Sequence, residues 1–131
     1  MKLNIKTSTP RIKIIQKLYS KAINPDEKIT YNKSQYRKFI KDVTEGTLER
    51  IDLIEETITK HLDKDINLKK TDKLLKIILF SAVFELIFKH NTPKNVIISE
   101  YVKASEFFLE KSQISYLNAI LDKLSKLIRN D

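Results

Sequence analysis

The first 24 residues carry Lys2, Lys6, Arg11, Lys13, Lys17 and Lys21 and no acidic side chain. Cations gathered in this way attract polyanions, either nucleic acid or an anionic membrane surface. The plain alternative is a lysine-rich surface kept for solubility. The length of the acid-free tract favours nucleic acid. The excess extends to the whole chain, where 25 basic and 17 acidic side chains give a formal charge of +8.

Little else in the sequence has the makings of a reactive site. There is no cysteine, which excludes disulfides, thiolate nucleophiles and cysteine-based zinc sites. The two histidines, His61 and His90, are far apart, and each falls near a predicted helix C-terminus, where a histidine can meet the last carbonyls. Glu55, Glu56, Asp63, Asp65 and Asp72 match no metal-ligand spacing. A single glycine rules out a glycine-rich phosphate loop. No enzymatic constellation, metal or cofactor is implied. Two polar residues stand out by their surroundings. Glu85 lies in an otherwise apolar run and needs a lysine, an arginine or a backbone N–H as partner, because an unpaired buried carboxylate is costly. Asn118 sits beside Tyr116 and Leu117, where it could brace a helix or face a nucleic-acid groove.

The elements that must position these groups read as helices. One glycine and three prolines in 131 residues are too few punctuators for a sheet protein, and 41% hydrophobic content suffices for one core. Thr9-Pro10 opens a basic first helix over 9–24, with Ile12, Ile15, Leu18, Tyr19 and Ala22 on its apolar face. Tyr19 is therefore expected to pack, with its hydroxyl near the rim. Arg11, Lys13, Lys17 and Lys21 lie largely off that face. Asn32 and Gln35 fit a capping box, and a helix over 33–45 leads into another over 48–62, continuous or kinked at Gly46. Gly46 either ends a helix or admits a close neighbour. The stretch LLKIILFSAVFELIF at 74–88 is apolar on nearly every side, the mark of a central buried helix over about 72–89. It is also too short to span a bilayer. Asn91-Thr92-Pro93 stops it and caps a helix whose apolar face is Val96, Ile97, Tyr101, Ala104, Phe107 and Phe108. The last helix starts at Ser112, with Tyr116, Leu117, Ile120, Leu121, Leu124 and Leu127 as its stripe. The prediction is an all-α, compact single domain over 1–131 with six or seven helices. The N-terminus has no signal-peptide pattern, so a soluble cytoplasmic protein is expected.

Several of these stretches resemble the transcription antitermination factor NusB family. The strongest part is 82–123: Ala82-Val83-Phe84-Glu85-Leu86, then Thr92-Pro93 through Val96 to Glu100, then Phe108-Leu109, then Tyr116-Leu117-Asn118-Ala119-Ile120-Leu121-Asp122-Lys123. The first half is similar more loosely, through Gln16-Lys17-Leu18-Tyr19, Phe39 to Gly46, Ile54-Glu55 and His61-Leu62. Leu109 and Ala119 stand where the family has glycines, and Arg11 alone stands for its N-terminal arginine cluster.

The resemblance implies a small helical protein that binds single-stranded boxA-type leader RNA together with the ribosomal protein NusE. It would act on the RNA polymerase elongation complex through other Nus factors, helping transcription through ribosomal RNA operons. On this reading Lys2, Lys6, Arg11, Lys13 and Lys17 contact phosphates. Tyr116 stacks on a base, and Asn118 bonds a base edge. The partner surface combines the exposed edge of the 74–88 helix, including Lys76, with Glu55 and Glu56. The alternative is a helical protein–protein interaction domain without sequence-specific RNA binding.

Overall fold

A computed structural model of the chain describes residues 9–62, 64 and 66–131. Lys2, Lys6, Asp63 and Asp65 lie outside the described residues. Six helices and no strand occur among those described: α1 Pro10–Ile23, α2 Arg37–Glu49, α3 Ile51–Leu62, α4 Lys73–Phe88, α5 Lys94–Ser105 and α6 Lys111–Ile128. The expected all-α architecture is met.

α4 is the hub. Each of the other five helices packs against it. Its buried residues run without interruption from Ile78 to Leu86, so no side of these turns faces solvent. This is the arrangement its all-round apolar sequence demands. Asp72 caps it, accepting the Leu75 N–H at 3.2 Å.

α1 begins as expected, with Thr9 Oγ1 accepting the Ile12 N–H and Pro10 in the first turn. Its buried face is rotated from the predicted one. Ile12, Ile14, Ile15 and Leu18 are buried, whereas Tyr19 and Ala22 are exposed. Contact with α2, α4 and α5 together widens the covered arc enough to include Ile14.

The predicted Asn32–Gln35 capping box does not form. α2 starts later, at Arg37, with Tyr36 in the N-cap position and no side-chain cap. Tertiary tethers decide the path here. Lys17 Nζ donates to the Thr30 carbonyl at 2.7 Å and Arg37 Nε to the Tyr31 carbonyl at 3.2 Å. The first holds the segment 24–36 along α1, and the second ties it to the start of α2.

The break between α2 and α3 falls at Arg50, not at Gly46. Gly46 stays helical because it faces the Phe84 ring of α4. A Cβ added there would come within 2.5 Å of Phe84 Cε1. Of the two readings of this glycine, the close neighbour is the one realised. Alanine would improve helix propensity by roughly 0.5–1 kcal/mol, while overpacking costs about 1–3 kcal/mol. Phe84 is buried and rests on Phe88 with ring centroids 5.0 Å apart, so the ring cannot move aside freely. Gly46→Ala is therefore expected to destabilise the protein in urea denaturation. The sign should reverse in a Phe84→Ala background, where only the propensity gain remains.

α5 is capped from elsewhere in the chain. Neither Asn91 nor Thr92 caps it; the Lys94 N–H donates instead to Asp131 Oδ2 at 3.0 Å. That backbone bond holds the Asp131 carboxyl below its ordinary range, with the nearby Arg129 adding to the effect. Val96, placed on the apolar face by spacing, is exposed, and Ile98 is buried in its stead. α6 starts one residue before the predicted Ser112, through a Glu110–Gln113 capping box. Of its predicted stripe, Leu117, Ile120, Leu121 and Leu124 are buried, while Tyr116 and Leu127 are exposed.

Candidate nucleic-acid interface

The buried face of α1 turns its remaining side chains outward in two groups. Gln16, Tyr19 and Ser20 are exposed, while Lys13, Lys17 and Lys21 are half-buried. The lysines line a cleft between α1 and the segment 24–36, with Lys28 on its far wall. Lys21 Nζ donates to the Glu27 carbonyl at 2.9 Å, a second tether beside that of Lys17. The Lys17 ammonium also lies 5.2 Å from the Tyr31 ring centroid. Burial, and then the neighbouring Lys13 charge, holds the Lys17 ammonium below its ordinary range.

Arg11 does not share this surface. Its guanidinium turns inward and forms a fork with Glu85 of α4. Nη2 donates to Oε1 at 2.7 Å and Nε to Oε2 at 3.0 Å. Glu85 is fully buried, and Arg11 is only 13% exposed. The same guanidinium lies 5.0 Å from the Phe39 ring centroid and 5.6 Å from that of Tyr101. Tyr101, fully buried, shares a 2.6 Å hydrogen bond with Ser81. Burial, followed by the Glu85 charge, pushes its phenol well above the ordinary range. The partner that Glu85 requires is thus Arg11. The expected role of Arg11 as an open phosphate contact gives way to a structural one, because its fork is already occupied.

Tyr116 and Asn118 are exposed on α6. Tyr19 contributes to a separate hollow with Gln16, Ser20, Leu74 and Phe108. Glu55 and Lys76 both line two adjoining hollows, one of which also reaches Leu18, Lys21 and Ala22 of α1. One of them, about 320 Å³ in volume, is walled by Leu18, Leu48, Ile51, Ile77 and Phe80. Glu56 is exposed on the same helix as Glu55 but lines neither hollow.

Sequence reasoning missed one residue that shapes this framework. Arg129, just beyond α6, is buried and gathers the carbonyls at the end of α4. Its Nε donates to Leu86 O at 2.7 Å, Nη2 to Lys89 O at 2.8 Å and Nη1 to Thr92 O at 3.0 Å. Carbonyls at the end of a helix lack intrahelical partners. A basic residue after the last predicted helix was the only available signal, and it does not say which helix end is served.

No group of three or more metal-ligating side chains that could hold an ion, and no helix long and apolar enough to cross a membrane, occurs among the described residues. The sequence model of the NusB family matches residues 2–126. The chain belongs to the NusB family. Among similar proteins, the transcription antitermination protein NusB of Thermodesulfovibrio yellowstonii is 31% identical over 93 residues, covering 71% of this chain and 61% of that protein. The transcription antitermination protein NusB of Rickettsia bellii is 36% identical over 98 residues, covering 75% of this chain and 60% of that protein. The matched stretch thus spans about three fifths of these NusB relatives. Among solved structures, T. maritima NusB superimposes with a TM-score of 0.78 at 20% identity, covering 96% of this chain and 93% of that one. The NusB fold expected from the sequence is the fold observed.

Proposed function

We propose that this protein is a non-enzymatic, cytoplasmic transcription antitermination factor that binds single-stranded boxA-like leader RNA together with the ribosomal protein NusE. Through that assembly it acts on the RNA polymerase elongation complex with other Nus factors. The observation that carries the reading is the cationic, carboxylate-poor outer face of α1, held rigidly on the hub helix of a NusB-family chain.

Lys13 and Lys17 supply phosphate contacts from α1, and Lys2 and Lys6 supply further ones ahead of it. Contacts of this kind position a strand, and base contacts specify it. Tyr116 stacks on an unpaired base, an interaction typically worth roughly 1–3 kcal/mol. Asn118 donates and accepts at a base edge. Arg11 serves the site indirectly by fixing α1 against α4. NusE docks over Glu55, Glu56 and Lys76, beside an apolar hollow bordered by Glu55 and by Lys21, Lys73 and Lys76. Complementary charge there would raise association rate and partner selectivity.

The test mixes the purified protein with NusE from the same organism, with and without labelled boxA-like RNA. Complex mass is read by light scattering and affinity by titration at several salt concentrations. The expected result is a 1:1 heterodimer that takes up RNA. The logarithm of its affinity should fall with the logarithm of salt by about 0.7 per phosphate contact, and Lys13→Glu should weaken RNA binding. Absence of a heterodimer between two folded proteins would remove the antitermination reading. The second reading, a protein-only interaction domain, draws on the apolar hollow walled by Ile51, Ile77 and Phe80. It requires partner binding with no salt-dependent RNA complex.

A further inference from the structure

The cleft between α1 and the segment 24–36 has a volume of about 360 Å³. Lys13, Lys17, Lys21 and Lys28 line it against a single acid, Glu27. The Glu27 carboxylate accepts a hydrogen bond from Asn24 Nδ2 at 3.3 Å. None of the four lysines has a carboxylate partner among the described residues. Four cations therefore share one concave space with little neutralisation.

The tethers keep them there. Lys17 and Lys21 each donate to a backbone carbonyl of the segment, at 2.7 Å and 2.9 Å, so their ammonium groups cannot swing away into solvent without releasing it. An ammonium has three donors, and one carbonyl uses only one of them. The neutral side chains of Gln16, Ser20 and Asn32 add hydrogen-bonding groups to the same lining. Gln16 and Ser20 also border the neighbouring hollow that holds Tyr19 and Phe108. An extended strand crossing this ridge would set a phosphate on one side and a base on the other.

We propose that this cleft is a phosphate-binding site for the RNA strand, with Lys28 and Lys21 as contacts beyond those assigned to the outer face of α1. The proposal rests on the RNA-binding reading. It makes the segment 24–36 part of the RNA surface rather than a mere connection.

Lys28 is the residue to test, because it is exposed and holds no element in place. Lys28→Ala and Lys28→Glu in the full chain, each mixed with NusE from the same organism, are titrated with labelled single-stranded boxA-like RNA across a salt series. Lys60→Ala serves as control, on α3, which does not pack on α1. One phosphate contact carries a salt slope near −0.7 for single strands, so its loss weakens binding about fivefold at 0.1 M salt. Lys28→Ala is expected to show that loss with a slope shallower by about 0.7, Lys28→Glu a larger loss, and Lys60→Ala neither. Parent-like affinity and slope in both Lys28 variants, with the parent binding RNA, would overturn the cleft assignment alone. A parent protein that binds no RNA would overturn the underlying reading and the cleft with it. So would a parent that ignores RNA but binds a labelled acidic peptide in a parallel titration, with that binding lost in Lys28→Glu.

Discussion

Glu85→Ala should cost the protein about 3–5 kcal/mol, the usual penalty for removing one partner of a buried ion pair. The remaining Arg11 guanidinium would sit between Phe39 and Tyr101 at low exposure, with no carboxylate to meet its fork. Arg11→Ala should be comparably damaging, because it strands the fully buried Glu85 carboxylate. Replacing both together with apolar residues of similar volume, Arg11→Met with Glu85→Leu, should recover much of the loss, since neither charge is then left unpaired. Urea denaturation of the three variants measures this. A single replacement costing under about 1 kcal/mol would mean that water solvates the pair after all. The double variant also separates stability from RNA binding. If Arg11 acts only by fixing α1, RNA affinity should survive in it.

The second large effect is expected at Arg129. Arg129→Ala removes the donors serving Leu86, Lys89 and Thr92, which lie at the end of α4 and in the turn before α5. An unsatisfied buried acceptor costs about 1–3 kcal/mol. Some of these carbonyls would gain access to water once the side chain is gone, so the expected total is about 3 kcal/mol rather than the sum. Arg129→Lys should restore only part of it, because an ammonium lacks the planar fork that reaches several carbonyls at once. Amide hydrogen exchange gives the local readout. Protection at the end of α4 should fall in the alanine variant more than at its start. Uniform protection along α4 would show that Arg129 is not what holds that end.

How far the sequence could be read follows from how far each interaction reaches. α4 was legible because its fifteen-residue stretch is apolar on nearly every side, and burial on several sides admits one placement, at the centre. The cap at Thr9 was legible because donor and acceptor lie three residues apart. The Asn32–Gln35 box satisfies the same local rule and fails, because tethers to Lys17 from outside the segment determine its path. Tyr19 and Val96 fit a helical stripe by spacing, but the buried arc depends on which neighbours arrive. The candidate site divides in the same way. The charge of the first helix was plain, and so was the need of Glu85 for a cation. That Arg11 meets this need, and so leaves the phosphate-binding set, depends on a contact 74 residues away. Arg129 was invisible because its carbonyl acceptors lie 37 to 44 residues away.

The separation between Arg11 and Glu85 also bears on the order of events at synthesis. α1 has 14 residues, about the length at which an isolated helix is marginal in water. Its apolar face and its arginine find their counterparts on α4, and closing so long a loop carries an entropic cost that must be met before the contact forms. The nascent chain can pack α1 on α2 early, but Arg11 has no carboxylate to meet until α4 has left the ribosome. The arginine fork is thus among the last contacts of α1 to close, and it reports that the central helix is in place.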